Sequence, residues 1–272
     1  MKKDSNNPVI GFGYVARGLE LIRLPGLRRF VLIPLLINML IFSAMLWFGI
    51  DWFEGFMNDY LPAGTPPSWL PEWGWLQATF IYIVEPFRWL LWILFALAFL
   101  LILIYGFTLV ANIIGAPFNE LLSSKVEQHL TGKKPEDANE SILAAIWPSV
   151  KSELYKAVYF LTRGIPLLLL FLIPGINIIA PLVWGLYSAW MLANEYAEYP
   201  MGLHGILFRE QRLFLKKRRL STYGFGGGVM LMTAVPVLNF IAMPTAVAGA
   251  TAWWVERLGP AMQDQGKPLH PV

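Results

Sequence analysis

Cysteine is absent from this 272-residue sequence, and histidine occurs only three times. The first absence removes a disulfide framework and any thiolate metal site. The second leaves His129, His204 and His270 with no ligand-like spacing to one another or to carboxylates, so no metal is expected. Charge is scarce, at 14% of residues, and four apolar runs contain none: Phe30 to Ile50, Leu90 to Gly115, Gly164 to Asn194 and Ser221 to Val255. A proton or sodium relay needs an intramembrane carboxylate, and these runs offer no such residue. No Walker-type phosphate loop occurs, which argues against ATP hydrolysis. GFGGG at 224–228 completes no dinucleotide fingerprint, and its glycines are expected to let backbones approach or flex. With no catalytic constellation, the chain reads as a non-enzyme without a cofactor.

What is present is apolar mass. The composition is 56% hydrophobic with twelve tryptophans, outside the balance of a soluble domain. At ~1.5 Å per helical residue, each apolar run reaches deeply into a hydrocarbon core of ~30 Å. Lys2 and Lys3 precede an amphipathic stretch and not an apolar core, so the first run is not expected to be a cleaved signal. The fold class expected is an all-α integral membrane protein. A single membrane domain over 1–272 would contain two long transmembrane helices, 30–50 and 89–119, around an external loop, 51–88.

Charge distribution sets the orientation. Lys2, Lys3, Arg17, Arg23, Arg28 and Arg29 place the N-terminus inside. The loop 51–88 then faces outward, with Asp51, Glu54, Asp59, Glu72 and Glu85 against Arg88 alone. It is rich in Trp and Pro, including Trp69, Pro62, Pro66 and Pro67. The third run, 164–194, is flanked by basic residues on both sides, and its 31 residues are too few for two crossings of about 20 residues each. A re-entrant hairpin satisfies both constraints, and the same reasoning applies to 221–255. Both termini are then cytoplasmic, and 20 of the 21 basic residues lie inside.

Each hairpin carries its own breaking signal. IPGINIIAP at 173–181 and VPVLNFIAMP at 235–244 pair Pro174 with Pro236 and Asn177 with Asn239, an internal repeat of about 62 residues. Proline removes a backbone donor and disfavours helix in the residue before it, while Asn can bond freed backbone groups. Paired interrupted segments also point to a solute path; kinked core helices are the alternative. Amphipathic inner-surface helices are expected from Asn7 to Arg23, capped by Asn7 and Pro8, and from Ser149 to Arg163. The basic run LKKRR at 215–219 reads as an orientation signal and not as a nucleic-acid site.

One stretch combines several of these features. LIRLPGLRRF at 21–30 places Arg23, Arg28 and Arg29 around a Pro-Gly turn at the start of the first span. The amides of Gly26, Leu27, Arg28 and Arg29 would lack helical partners, and the helix dipole and two guanidinium forks add positive charge. Such a donor-only site suits sulfate, which offers only acceptors at neutral pH. Phosphate partly keeps a proton and would want an acceptor, for which Glu20 is the nearest candidate. On spacing alone, an orientation signal with lipid headgroup contact is the stronger reading.

Four stretches resemble the bacterial CysZ sulfate permeases, within a broader EI24-like membrane family. They are GYVARGLELIRLPGLRRFVLIPLLIN at 13–38, GAPFNELLSSKVE at 115–127, NEYAEYPMGLHGILF at 194–208 and VPVLNFIAMPTAVAGATAW at 235–253. The resemblance implies a multi-pass protein of the bacterial inner membrane that takes up sulfate for cysteine biosynthesis and assembles as a homo-oligomer. It implies an oxyanion site at the Gly-Leu-Arg motif, here Gly26, Leu27 and Arg28 followed by Arg29. Sulfite and similar oxyanions are further candidate ligands, membrane lipid is an expected partner, and the missing carboxylate favours a channel-like or weakly coupled path. A non-transporting membrane adaptor is the alternative class.

Overall fold

Asn7 begins the first helix by accepting the Val9 N–H on its side-chain oxygen at 2.9 Å, with Pro8 at the position where a missing N–H costs nothing. The computed structural model describes residues 6–60, 71–133 and 142–264. Trp69, Pro62, Pro66, Pro67, Lys2, Lys3, Lys134, Lys267 and His270 lie outside them. The helices are α1 (Pro8–Leu21), α2 (Arg29–Tyr60), α3 (Gly74–Thr131), α4 (Ile142–Leu169), α5 (Ala180–Leu203), α6 (Phe208–Lys216), α7 (Arg219–Ala234), α8 (Pro236–Trp253) and α9 (Gly259–Gln263). Among the described residues there is no strand. Four helical segments among these residues are long and apolar enough to cross a membrane: Arg29–Tyr60, Gly74–Ile102, Val150–Leu172 and Pro236–Gln263. The chain is an all-α membrane protein.

It folds as two compact units, residues 33–115 and the remainder. In the first, α2 and α3 run antiparallel. Phe53 stacks on Phe95 with ring centroids 3.8 Å apart, and Gly49, four residues earlier, faces Phe99, four residues later. Trp92 meets Phe53 edge-on at 4.6 Å. These aromatics explain why both helices outrun their apolar runs: α2 continues through Asp51 and Glu54 to Tyr60, and α3 begins at Gly74. The described ends of the expected 51–88 loop are therefore largely helical. Leu36, Leu40, Trp47, Leu90, Leu94 and Leu97 remain exposed, which in a soluble protein would be costly and in lipid is not.

The second unit is held by helices that touch backbone to backbone. α1 packs on α7 and α8, and α5 packs on α7. Gly224 lets α7 reach the Pro8 carbonyl of α1, and Gly226, on another face, lets it reach the Ala189 carbonyl of α5. The GFGGG stretch thus serves helix packing. Trp253 stacks between Tyr14 and Phe225, at 6.3 and 5.4 Å. The tail of α3 joins this core through Ser123, whose hydroxyl lies 2.9 Å from that of Thr251.

Both repeat motifs fall on helix breaks. Pro174 follows a 3-10 turn (Leu170–Leu172) and precedes Gly175, whose φ of +84° a side chain would resist, and a second 3-10 turn (Ile176–Ile178). The other break is a single extended residue, Val235 at φ −93° and ψ 114°, with Pro236 opening α8. The asparagines do not act as expected. Among the described residues the Asn177 and Asn239 side chains bond no freed backbone group; their own N–H groups donate to Ile173 O at 3.0 Å and Val235 O at 2.9 Å. Proline and, in the first motif, glycine account for the breaks.

Candidate functional site

The arginine turn hangs between α1 and α2 on buried anchors. Leu21, Ile22 and Leu27 sit in the core, while Arg23, Pro25, Gly26, Arg28 and Arg29 are exposed. Gly26 adopts φ +93°, a conformation that favours glycine and reverses the chain after Pro25. The reversal brings the chain back under the Leu24 carbonyl, which accepts from Leu27 N–H at 3.1 Å and Arg28 N–H at 3.2 Å just ahead of α2.

This corrects the expected donor set. The Leu27 and Arg28 amides are already bonded, and Leu27 contributes a buried side chain. Among the described residues, the N–H groups of Gly26 and Arg29 have no such acceptor. The side chains of Arg23, Arg28 and Arg29 have no carboxylate partner there either. Arg29 lies 5.0 Å from the centroid of the Phe30 ring. Glu20, the nearest carboxylate in sequence, is held by Arg17 at 3.0 Å. The turn therefore presents donors and positive charge at the dipole-positive end of a 32-residue helix.

Pro174, Asn177, Pro236 and Asn239 are all exposed and lie on two separate breaks, away from this turn in sequence. His204 is in a buried pair with Glu127, Nε2 to Oε1 at 2.8 Å, which ties the end of α5 to the tail of α3.

Sequence reasoning also missed a charge cluster on the Ser149 to Arg163 helix. Lys156 Nζ lies 2.7 Å from Glu198, 3.0 Å from Glu153 and 3.5 Å from Glu195. Glu195 and Glu198 share a stretch of α5 at i, i+3 spacing, a signal readable beforehand as a cation-facing pair. Burial pushes the Glu198 carboxyl up to about 7, against the opposing pull of Lys156. A carboxyl raised in the folded state holds its proton where the unfolded chain releases it. Its contribution is complete below the ordinary value of 4.5 and is lost as pH rises through about 7. The purified protein should therefore melt at a higher temperature at pH 6 than at pH 8, with Glu198→Gln reducing the difference. Equal pH dependence in both proteins would exclude Glu198 as its source.

The fold and this turn define an all-α, multi-pass membrane protein with an exposed, arginine-rich turn at the entry of its first long helix. A family model described as "Sulfate transporter CysZ/Etoposide-induced protein 2.4" matches residues 14–244, and the chain belongs to that family. It is 41% identical over 249 residues to the "Sulfate transporter CysZ" of Pseudomonas paraeruginosa (strain DSM 24068 / PA7), an alignment covering 90% of this chain and 94% of that one. The family is one of transport and not of catalysis, in keeping with the sequence reading.

Proposed function

We propose that this chain carries sulfate across a bacterial inner membrane, supplying cysteine biosynthesis, and binds sulfate at the Gly26–Arg29 turn. The observation that carries the reading is an exposed turn in which, among the described residues, the two arginines have no carboxylate partner and the Gly26 amide is free, in a chain similar to a sulfate transporter over nine-tenths of its length. Arg28 and Arg29 supply charge, the Gly26 amide a neutral donor, and Leu27 the anchor. Glu20, the carboxylate nearest this turn in sequence, is already paired with Arg17, which favours fully ionised sulfate over a protonated phosphate. Sulfite, which like phosphate partly keeps a proton at neutral pH, should bind more weakly than sulfate by the same argument.

Orientation follows the basic residues, with both termini cytoplasmic and the breaks at Pro174 and Pro236 turning re-entrant hairpins. α7 supports this, since its 16 residues reach only ~24 Å against a core of ~30 Å. The breaks are exposed on the single chain, and irregular backbone at membrane depth needs cover from protein or water. A second copy of the chain supplies it in this reading.

Proteoliposomes holding the purified chain should take up radiolabelled sulfate saturably with no proton or sodium gradient, as a channel-like path requires. Uptake no greater than in empty liposomes, with or without gradients, would leave the adaptor class. A monomeric mass in mild detergent would remove the second copy.

A further inference from the structure

Arg163 of α4, Arg212 and Lys216 of α6 and Arg219 of α7 line one cavity of about 760 Å³, and none of its lining residues is acidic. Among the described residues none of these four cations has a carboxylate partner. Neutral groups hold three of them, Arg219 by donating from Nε to the Lys216 carbonyl at 3.3 Å. The Arg163 guanidinium lies 3.8 Å from the centroid of the Tyr159 ring and donates to the Tyr159 carbonyl at 3.2 Å. Arg212 lies 4.5 Å from the same centroid and donates from Nη2 to the Tyr155 hydroxyl at 3.1 Å. The Arg212 Nε is buried and has no acceptor. The Arg212 guanidinium nevertheless lines the cavity without an anionic partner among the described residues, so an anion supplied from outside the chain is favoured beside its accessible donors.

The rest of the wall is of opposite character. Pro166, Leu167, Val183 and Leu186 form an apolar side within the same cavity. A free inorganic anion would use only the cationic side, whereas an amphiphile with an acidic head would use both. The cavity also divides the LKKRR run, which the sequence assigned wholly to orientation. Lys216 and Arg219 line it together with Arg212, at steps of four and three, while Arg218 is buried over the Phe214 ring at 4.3 Å.

We propose that this cavity binds the phosphate headgroup of an anionic phospholipid, with Arg163, Arg212, Lys216 and Arg219 around the phosphate and an acyl chain along Leu167 and Leu186. Arginine forks match phosphate oxygens in pairs, and a fixed cluster at a membrane entry point adds position to general attraction.

The test is melting temperature in a neutral detergent, titrated with phosphatidylglycerol, phosphatidylcholine, sodium sulfate or inorganic phosphate. Lys216→Gln with Arg219→Gln removes two exposed charges from the cavity. Lys151→Gln with Arg209→Gln removes two exposed charges from elsewhere. Phosphatidylglycerol should stabilise the wild type and the second variant at similar concentrations. The first variant should need about thirtyfold more, the scale expected for two basic residues that each face an anionic headgroup. Equal weakening in both variants would overturn the proposal, because the lipid would then be answering net charge alone. Stabilisation by sulfate or phosphate that Lys216→Gln with Arg219→Gln abolishes, with no effect of phosphatidylglycerol, would also overturn it by assigning the cavity to a free anion.

Discussion

Purified protein carrying Arg28→Ala and Arg29→Ala should bind radiolabelled sulfate at least about a hundredfold more weakly than the wild type. Hydrogen bonds to charged groups contribute roughly 1.5–3 kcal/mol each, so two lost guanidinium contacts amount to about 3 kcal/mol or more, and every ~1.4 kcal/mol is tenfold in affinity. Both side chains are exposed and carry no carboxylate partner among the described residues, so their removal leaves no buried charge orphaned. The melting temperature should stay near that of the wild type. Leu27→Ala is the contrasting variant: its side chain is buried in the core, and truncation should cost about 2–5 kcal/mol of stability. Arg28→Lys with Arg29→Lys should recover part of the affinity, since charge is kept and only the bidentate fork is lost. Equilibrium binding to the purified proteins, with melting curves alongside, separates these outcomes. Wild-type affinity in the double alanine variant would remove the turn as the sulfate site.

The general character of this chain was legible because membrane insertion depends on quantities a sequence carries directly: apolar length, charge position and helix breakers. Pro174 and Pro236 marked both breaks because a missing N–H acts locally whatever surrounds it. The arginine turn was only partly legible. Its residues and its Pro-Gly reversal were readable, but the partner of the Leu27 N–H depended on Gly26 at φ +93° bringing that amide back to the Leu24 carbonyl. The helix ends were misplaced for a different reason. Charge-free runs define hydrocarbon length, whereas the helices continue as long as a partner is available, as Phe53 finds in Phe95. Distant pairings such as Glu127 with His204, 77 residues apart, leave no local pattern at all. The cationic cavity stood between these cases, since Arg212, Lys216 and Arg219 fall on one face by spacing, but Arg163 reaches them only through the fold.

Two glycines of the same helix should respond oppositely to the same substitution. Gly13 of α1 has nothing within 4 Å of the position a Cβ would take. Gly13→Ala should therefore be neutral or stabilising, by up to about 1 kcal/mol, because alanine is the better helix former. At Gly18 the added carbon would fall 2.7 Å from the Gly249 backbone nitrogen, 2.9 Å from its Cα, and into the Thr245 carbonyl of α8. These are backbone atoms, which cannot rotate aside as a flexible side chain would. Relief would require α1 and α8 to separate along a face where Thr245, Ala246 and Gly249 are fully or nearly fully buried. Overpacking of this kind costs about 1–3 kcal/mol and occasionally more, and the rigidity of both partners argues for the upper end. Because α1 leads directly into the arginine turn, the displacement would also disturb the anchors Leu21 and Leu27, so sulfate binding should weaken with stability in Gly18→Ala but not in Gly13→Ala. Melting curves in detergent compare the pair without any assumption about function. Equal melting temperatures would mean that α1 and α8 do not meet through Gly18, and the packing that positions the turn would have to be rebuilt.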